Sequence, residues 1–335
     1  MAKILITGAG GYIGSVATYL FLQKGYEVVG IDNFARGFRQ PLELLQSKFG
    51  EKQFRWYEAD LKNDLSPIFE KEKGIQAVAH YGAFCNVDES LTHPELYFAN
   101  NTWGCAHLVE TMVKYNVLHL VFSSTCAVYG QSQYVPLDEK HPVNPITPYG
   151  ESKHLAEKVV EWYAKLKGLS YVMFRYFNVC GASDDSLIGD SKKPSFHLMQ
   201  NAIRGAFGIE PFKLTCPQVD TPDKTPIRDY LNVVDLNESH FMGLEYVLKG
   251  GQSQAINLGT GTGNSVYEII KTVEEVTGKK VEVSSGALRK GDPTKLVASI
   301  EKAEQVLGWK PKRTIKESVE TLVKWYQQHP HGWKN

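Results

Sequence analysis

The sequence predicts an α/β protein: a doubly wound parallel sheet with helices on both faces, followed by a smaller C-terminal domain. Three observations predict it. Short apolar runs alternate with helical stretches through the first half. A glycine-rich turn follows the first run, and the texture changes after Asn178.

The apolar runs are KILITG (3–8), EVVGID (27–32), FRWYEAD (54–60), AVAHYGA (77–83), HLVFSST (119–125) and SYVMFRYFN (170–178). Each is rich in β-branched or aromatic residues, and each ends near Gly, Asp, Ser, Thr or Asn, the pattern of a strand entering a turn. Helical stretches at 12–24, 96–115 and 150–167 lie between them. Beyond Asn178 the chain is polar and punctuated by glycine, then proline-rich through CPQVDTPDKTPIRDY. A helix at 232–249, a strand QAINLG (254–259) and a helix at 264–277 follow. The expected division is 1–178 and 179–335, with one or two elements of the second part able to return to the first sheet.

Composition excludes several function classes. The 335 residues carry 37 basic and 37 acidic side chains, a balance that leaves no electrostatic footprint for nucleic acid or anionic lipid. No apolar run is long enough to span a bilayer. The opening MAKILITGAGGYIG passes straight into glycines, unlike a signal peptide. The five cysteines are scattered with no C-x-x-C pair, as expected of reduced thiols in a cytoplasmic protein, and no metal site is expected. His329 and His331 lie in a polar tail, HPHGWKN, that reads as a frayed terminus.

The turn TGAGGYIG sets Gly8, Gly11 and Gly14 between a strand and a helix. Glycines let the backbone approach a pyrophosphate, and the helix N-terminus supplies free N–H groups and partial positive charge. Asp32, ending the second strand, can accept from an adenosine ribose 2′-OH and would repel a 2′-phosphate. The fold class is therefore Rossmann-type, with 1–178 the dinucleotide-binding domain and NAD favoured over NADP. Arg36 and Arg39 nearby weigh slightly the other way. A tight turn without a ligand is the plainer alternative.

In TPYGESKHLAEK, Tyr149 stands four residues before Lys153, on one helix face. A phenol at pKa about 10 is a poor base. Lowering it by ~3 units takes about 4 kcal/mol, which an ammonium and a cationic nicotinamide in a dry cleft can supply. A surface pair would share the spacing. Ser124 and Thr125, at the carboxyl end of the fifth strand, offer hydroxyls that could hold a substrate oxygen beside Tyr149. For Ser124, strand-end capping is an equal alternative.

Together TGAGGYIG, SSTCAVYG and YGESK resemble the motifs of the extended short-chain dehydrogenase/reductase superfamily. RYFNVCGA (175–182), IRDYLNVVDL (227–236), INLGTGTGNSV (256–266) and LRKGDPTKLVAS (288–299) narrow the resemblance to its UDP-glucose 4-epimerase group. The resemblance runs over nearly the whole chain. It implies reversible 4-epimerisation of a UDP-hexose with tightly bound NAD, and it makes 179–335 a UDP-sugar domain. It also implies a homodimer through the helices at 96–115 and 150–167, and a role in galactose metabolism. By the same resemblance Thr125 and Tyr149 contact the reacting hydroxyl, and Lys153 holds the nicotinamide ribose. Tyr12, Ile13, Asp32, Asn33, Asp60, Leu61, Tyr81, Gly82, Asn100 and Phe177 line the NAD site. Asn178, His197, Leu198, Arg228, Arg289, Asp292 and Leu296 fall at nucleotide-sugar positions, Leu296 against the sugar 2-substituent. Arginines at 228 and 289 also suit a pyrophosphate, although a lone surface arginine is commoner. His197 reads equally as a buried structural histidine.

Cys85 stands where the group often has lysine, and Leu214-Thr215-Cys216 replaces its I-F-G. Sugar-nucleotide dehydratases carry an acidic pair where this chain has Thr125-Cys126, so elimination is disfavoured. Epimerases of N-acetylhexosamine, pentose or uronate substrates, UDP-glucuronate decarboxylases and a non-catalytic NAD-binding scaffold are the rivals.

Overall fold

A computed structural model describes residues 2–192, 195–286 and 293–333. Its centre is a seven-stranded parallel sheet. Six strands come from the first half: β1 (Lys3–Thr7), β2 (Glu27–Asp32), β3 (Phe54–Glu58), β4 (Ile75–His80), β5 (His119–Thr125) and β6 (Ser170–Tyr176). The seventh, Gln254–Leu258, comes from the second half and pairs in parallel with β6. The order is Gln254–Leu258, β6, β5, β4, β1, β2, β3.

Alternation along each strand separates two cores. Ile4, Ile6, Val28, Ala77, Ala79, Val121, Val172 and Phe174 pack with the helices Tyr12–Gln23 and Val233–Leu248. Leu5, Val29, Ile31, Val78, Leu120, Phe122 and Met173 pack on the other face with Gly104–Lys114 and Pro148–Lys167. Both faces are covered, which is why these strands read as continuous apolar runs rather than alternating ones.

The helix expected at 96–115 is present but not uniform. Pro94–Tyr97 and Gly104–Lys114 are α-helical, and Phe98–Trp103 between them is a π-helical turn. Such insertions cluster at functional sites. Here Asn101 is buried and clamps the Phe84 backbone and the Ser152 hydroxyl, while Asn100 lines the central cleft.

The second half builds a smaller core from the helices Leu198–Ala206, Val266–Thr277 and Ile315–Gln328. The latter two open with capping boxes, Ser265 with Glu268 and Thr314 with Glu317. Short strand pieces face the sheet's carboxyl end. Asn178–Cys180 pairs with Tyr230–Asn232, and Ile227–Arg228 lies between Asn264–Ser265 and Lys295–Leu296. As far as Trp333 the tail is packed rather than frayed as expected. Trp333 packs at 4.8 Å from the Trp325 ring and 4.9 Å from His329, and its N–H donates to Ser191 Oγ at 3.0 Å. Among the described residues no helix is long and apolar enough to cross a membrane. None of their histidine, cysteine, aspartate and glutamate side chains cluster to hold a metal ion.

Candidate active site

A cleft of about 1000 Å³ runs across the carboxyl ends of the strands, between the sheet and the second half. Open parallel sheets bind ligands there because strand order reverses and loops diverge.

The glycine turn forms one end. Gly8 has φ 68°, and a Cβ on it would meet the Gly82 backbone nitrogen at 2.7 Å. A Cβ on Gly14 would sit 2.0 Å from the Gly8 carbonyl oxygen, so helix Tyr12–Gln23 lies directly against the turn. Gly11 caps that helix without a side-chain hydrogen bond, leaving its first N–H groups facing the cleft as an anion cradle. Asp32 accepts from Gly10 N–H (2.9 Å) and Phe34 N–H (2.7 Å), and burial raises its pKa. Arg36 is paired with Glu89 and Arg39 with Glu58, so neither guanidinium stands bare for a 2′-phosphate. These features fit NAD. Ile13, Asn33, Leu61, Tyr81, Gly82, Asn100 and Phe177 line the same cleft as Gly8, Gly11, Tyr12 and Gly14. Asp60 stands one step behind, where it accepts from Asn33 Nδ2 at 3.0 Å.

The catalytic candidates come from β5 and helix Pro148–Lys167. Thr147 caps that helix by accepting from Gly150 N–H at 3.2 Å, and Pro148 opens it, which puts Tyr149 in the first turn at the cleft wall. Thr125 and Tyr149 line the same stretch of the cleft, and Thr125 acts on the phenol to favour its ionised form. Lys153, one turn on, is 3% exposed, with Nζ 4.2 Å from the centre of the Phe122 ring. Burial brings its pKa down to about 8, against the opposing pull of Cys105, Glu157 and Cys85. Burial raises Tyr149 well above its ordinary value, Cys85 and Tyr176 add to the rise, and only Thr125 among the leading causes opposes it. The positive charge that a bound cationic nicotinamide would bring opposes this rise, as expected from the sequence.

Ser124 is a correction. Strand alternation turns it away from the cleft, where its hydroxyl donates to Glu157 at 2.5 Å. Glu157 in turn accepts two bonds from Arg175, at 2.9 and 2.7 Å, and this buried fork fastens helix Pro148–Lys167 to β6. Ser123 lines the cleft instead, 3.1 Å from His240 Nε2. Since Thr125 faces inward, the period of two along a strand was the signal that could have found Ser123.

The far end of the cleft holds Asn178, His197, Leu198, Arg228 and Leu296. Leu296 lies in register with Arg228, and buried Asp229 accepts from Ala298, Thr260 and Gly261 N–H groups to hold that corner. His197 lines the cleft half-buried, with its Nδ1 2.8 Å from buried Asp190. Arg289 and Asp292 lie outside the described residues. Cys85, Lys192, Phe196, Asn201 and the Leu214–Cys216 segment also face the cleft.

The model of the family described as GDP-mannose 4,6 dehydratase matches residues 5–322. The UDP-glucose 4-epimerase of Lactobacillus helveticus is 38% identical over 99% of both chains. The chain belongs to the UDP-glucose 4-epimerase group of the extended short-chain dehydrogenase/reductases. A crystal structure of a UDP-glucose 4-epimerase superposes with a TM-score of 0.93 at 37% identity, covering 99% of this chain and 100% of that one. The Bifidobacterium longum UDP-glucose 4-epimerase, solved with NAD+ and UDP, gives 0.92 at 30% identity with the same coverage. The family model's dehydratase description does not carry elimination chemistry to this member, since the neighbours of Thr125 in sequence are Ser124 and Cys126 rather than carboxylates.

Proposed function

We propose that this epimerase interconverts UDP-glucose and UDP-galactose, with residues 1–178 holding NAD and 179–335 holding the UDP-sugar. The observation that carries the reading is the meeting of Thr125, Tyr149 and Lys153 at the wall of one cleft that also contains the glycine turn. NAD bound there would supply a cationic nicotinamide able to accept a hydride from C4 of the sugar and return it. Thr125 holds the 4-hydroxyl, and Tyr149 takes its proton as the hydride leaves. Lys153 orients the nicotinamide ribose and adds positive charge near the phenolate. The resulting 4-keto sugar turns about its bond to the diphosphate, which Arg228 anchors, and presents its other face. Tyr149 then returns the proton as C4 regains the hydride. Proton and hydride are both restored, so the cycle consumes nothing.

Leu296 stands against the sugar 2-substituent and sets a preference for hexoses over N-acetylhexosamines. The assembly is a homodimer. In helix Pro148–Lys167, Val159 and Tyr163 pack on the sheet core, whereas Leu155, Trp162 (56% exposed) and Leu166 (65%) face outward. Leu96 and Trp103 are exposed on the neighbouring helical segment, and such apolar surface on adjoining helices suits a second copy. A cytoplasmic setting and a place in galactose metabolism complete the reading. Assay of the purified protein against a panel of UDP-sugars tests it: interconversion of the two hexoses is expected, and binding of NAD with no turnover of any sugar would leave only a scaffold.

A further inference from the structure

We propose that Lys192 is a cofactor-binding residue, a cationic clamp that reaches across the cleft beside the glycine turn and holds the NAD pyrophosphate between turnovers. The inference rests on the NAD reading of this cleft and adds to it a residue from the other half of the chain.

The base of the clamp is rigid. Asp190 is fully buried, and its carboxylate accepts from Lys192 N–H at 3.1 Å and Gln200 Nε2 at 3.2 Å, beside His197. Its carbonyl accepts from the Tyr326 hydroxyl at 3.0 Å. Ser191 is held by the Trp333 N–H of the folded-back tail. From this anchored segment the Lys192 side chain extends over the Phe196 ring, 4.8 Å from its centre, and ends 3.4 Å from Cys85 Sγ on the opposite wall. A small side cavity is lined jointly by Gly10, Gly11, Tyr12, Lys192 and Trp333, so the lysine adjoins the turn that receives phosphate.

The chemistry of the contact points to an anion. A thiol is a weak hydrogen-bond acceptor, and a phosphate oxygen displaces it readily. The other cations near the turn are otherwise engaged: Arg36 pairs with Glu89, and Lys153 lies over Phe122 deep in the cleft. Burial pulls the Lys192 pKa down, but the surrounding groups, the buried Asp190 carboxylate among them, outweigh it and the net direction is up. Helix N–H groups contribute only partial charge. A full ammonium on the second half adds a bond that must break before the dinucleotide can leave.

The test compares wild type, Lys192→Gln and Lys192→Arg. Bound NAD is measured after gel filtration, and exchange with labelled NAD is followed at low and high salt. Lys192→Gln should exchange NAD about 10- to 100-fold faster, the loss of one charge-assisted hydrogen bond. Lys192→Arg should stay close to wild type, and wild-type exchange should quicken with salt. The clamp is overturned if Lys192→Gln holds NAD as long as wild type. It is equally overturned if Lys192→Arg releases NAD as fast as Lys192→Gln, which would mean packing rather than charge. Should Lys192→Gln fail to fold, wild-type exchange indifferent to salt would overturn it. Wild-type protein free of NAD would overturn the clamp together with the cofactor reading.

Discussion

Replacing Lys153 by methionine should damage catalysis and stabilise the NAD-free protein. Its ammonium is almost wholly buried, and burial brings the pKa from 10.5 down to about 8. Below pH 8 both folded and unfolded chains bind the proton, and the folded state carries the full penalty. That penalty is about 3 kcal/mol, from a shift of roughly 2.5 units. Between the two pKa values the unfolded chain binds more protons, so wild-type stability rises with pH; above 10.5 the penalty is gone. Methionine has a similar length, carries no charge and keeps contact with the Phe122 ring through its thioether. Unfolding entropy for a chain of 335 residues is about 0.7 kcal/mol/K, so the mutant's NAD-free form should melt about 4 °C higher at pH 7. The gain should shrink steadily from pH 8 towards 10.5. Calorimetry of NAD-stripped protein at several pH values reads both features. A mutant that melts no higher at pH 7, or keeps its advantage at pH 10.5, would refute the buried-ammonium reasoning.

Tyr149→Phe should lower turnover by about 10²–10⁴ or more while NAD stays bound, since it removes the proton acceptor and not the fold; a near-wild-type rate would remove Tyr149 from the mechanism. Leu296→Tyr should lower the already weaker turnover of UDP-N-acetylglucosamine by a further ~5- to 150-fold and spare UDP-galactose, because overpacking costs about 1–3 kcal/mol; equal rates with both sugars before and after mutation would show that Leu296 is no gate. The proposed pairing predicts a wild-type dimer and a Trp162→Glu monomer in light scattering at micromolar concentration; wild type already monomeric would refute the pairing. Glu157 is held down at about 2, its Arg175 and His154 partners outweighing the effect of burial. Its contribution to stability is therefore present above the ordinary carboxylate range and lost as pH falls towards 2, and Glu157→Gln should flatten that acid limb in a pH-melting series.

Much of the sheet was legible because parallel strands buried on both faces leave unbroken apolar runs, as in EVVGID and HLVFSST, whose bounds match β2 and β5. The glycine turn was legible because Gly8 and Gly14 meet backbone at distances no side chain tolerates. The corner that holds Arg228 and Leu296 was legible only through resemblance, since its strands are two residues long and show no periodicity. The π-helical turn at Phe98–Trp103 was hidden because helical periodicity continues through it. Lys192 was passed over inside a polar stretch that reads as loop; its importance arises from a neighbour 107 positions away. The tail was misread because polar residues outnumber its one anchor, though Trp325, His329 and Trp333 recur every four residues as a continued helical face would.

The central claim is that hydride and proton leave and return within one closed cleft. Purified protein given UDP-galactose in deuterated water, with no NAD added, tests it most directly by proton NMR. The account predicts a mixture of UDP-galactose and UDP-glucose at equilibrium, with C4 free of deuterium because the hydride never meets solvent. Deuterium at C4, or no UDP-glucose formed by protein that carries NAD, would contradict it.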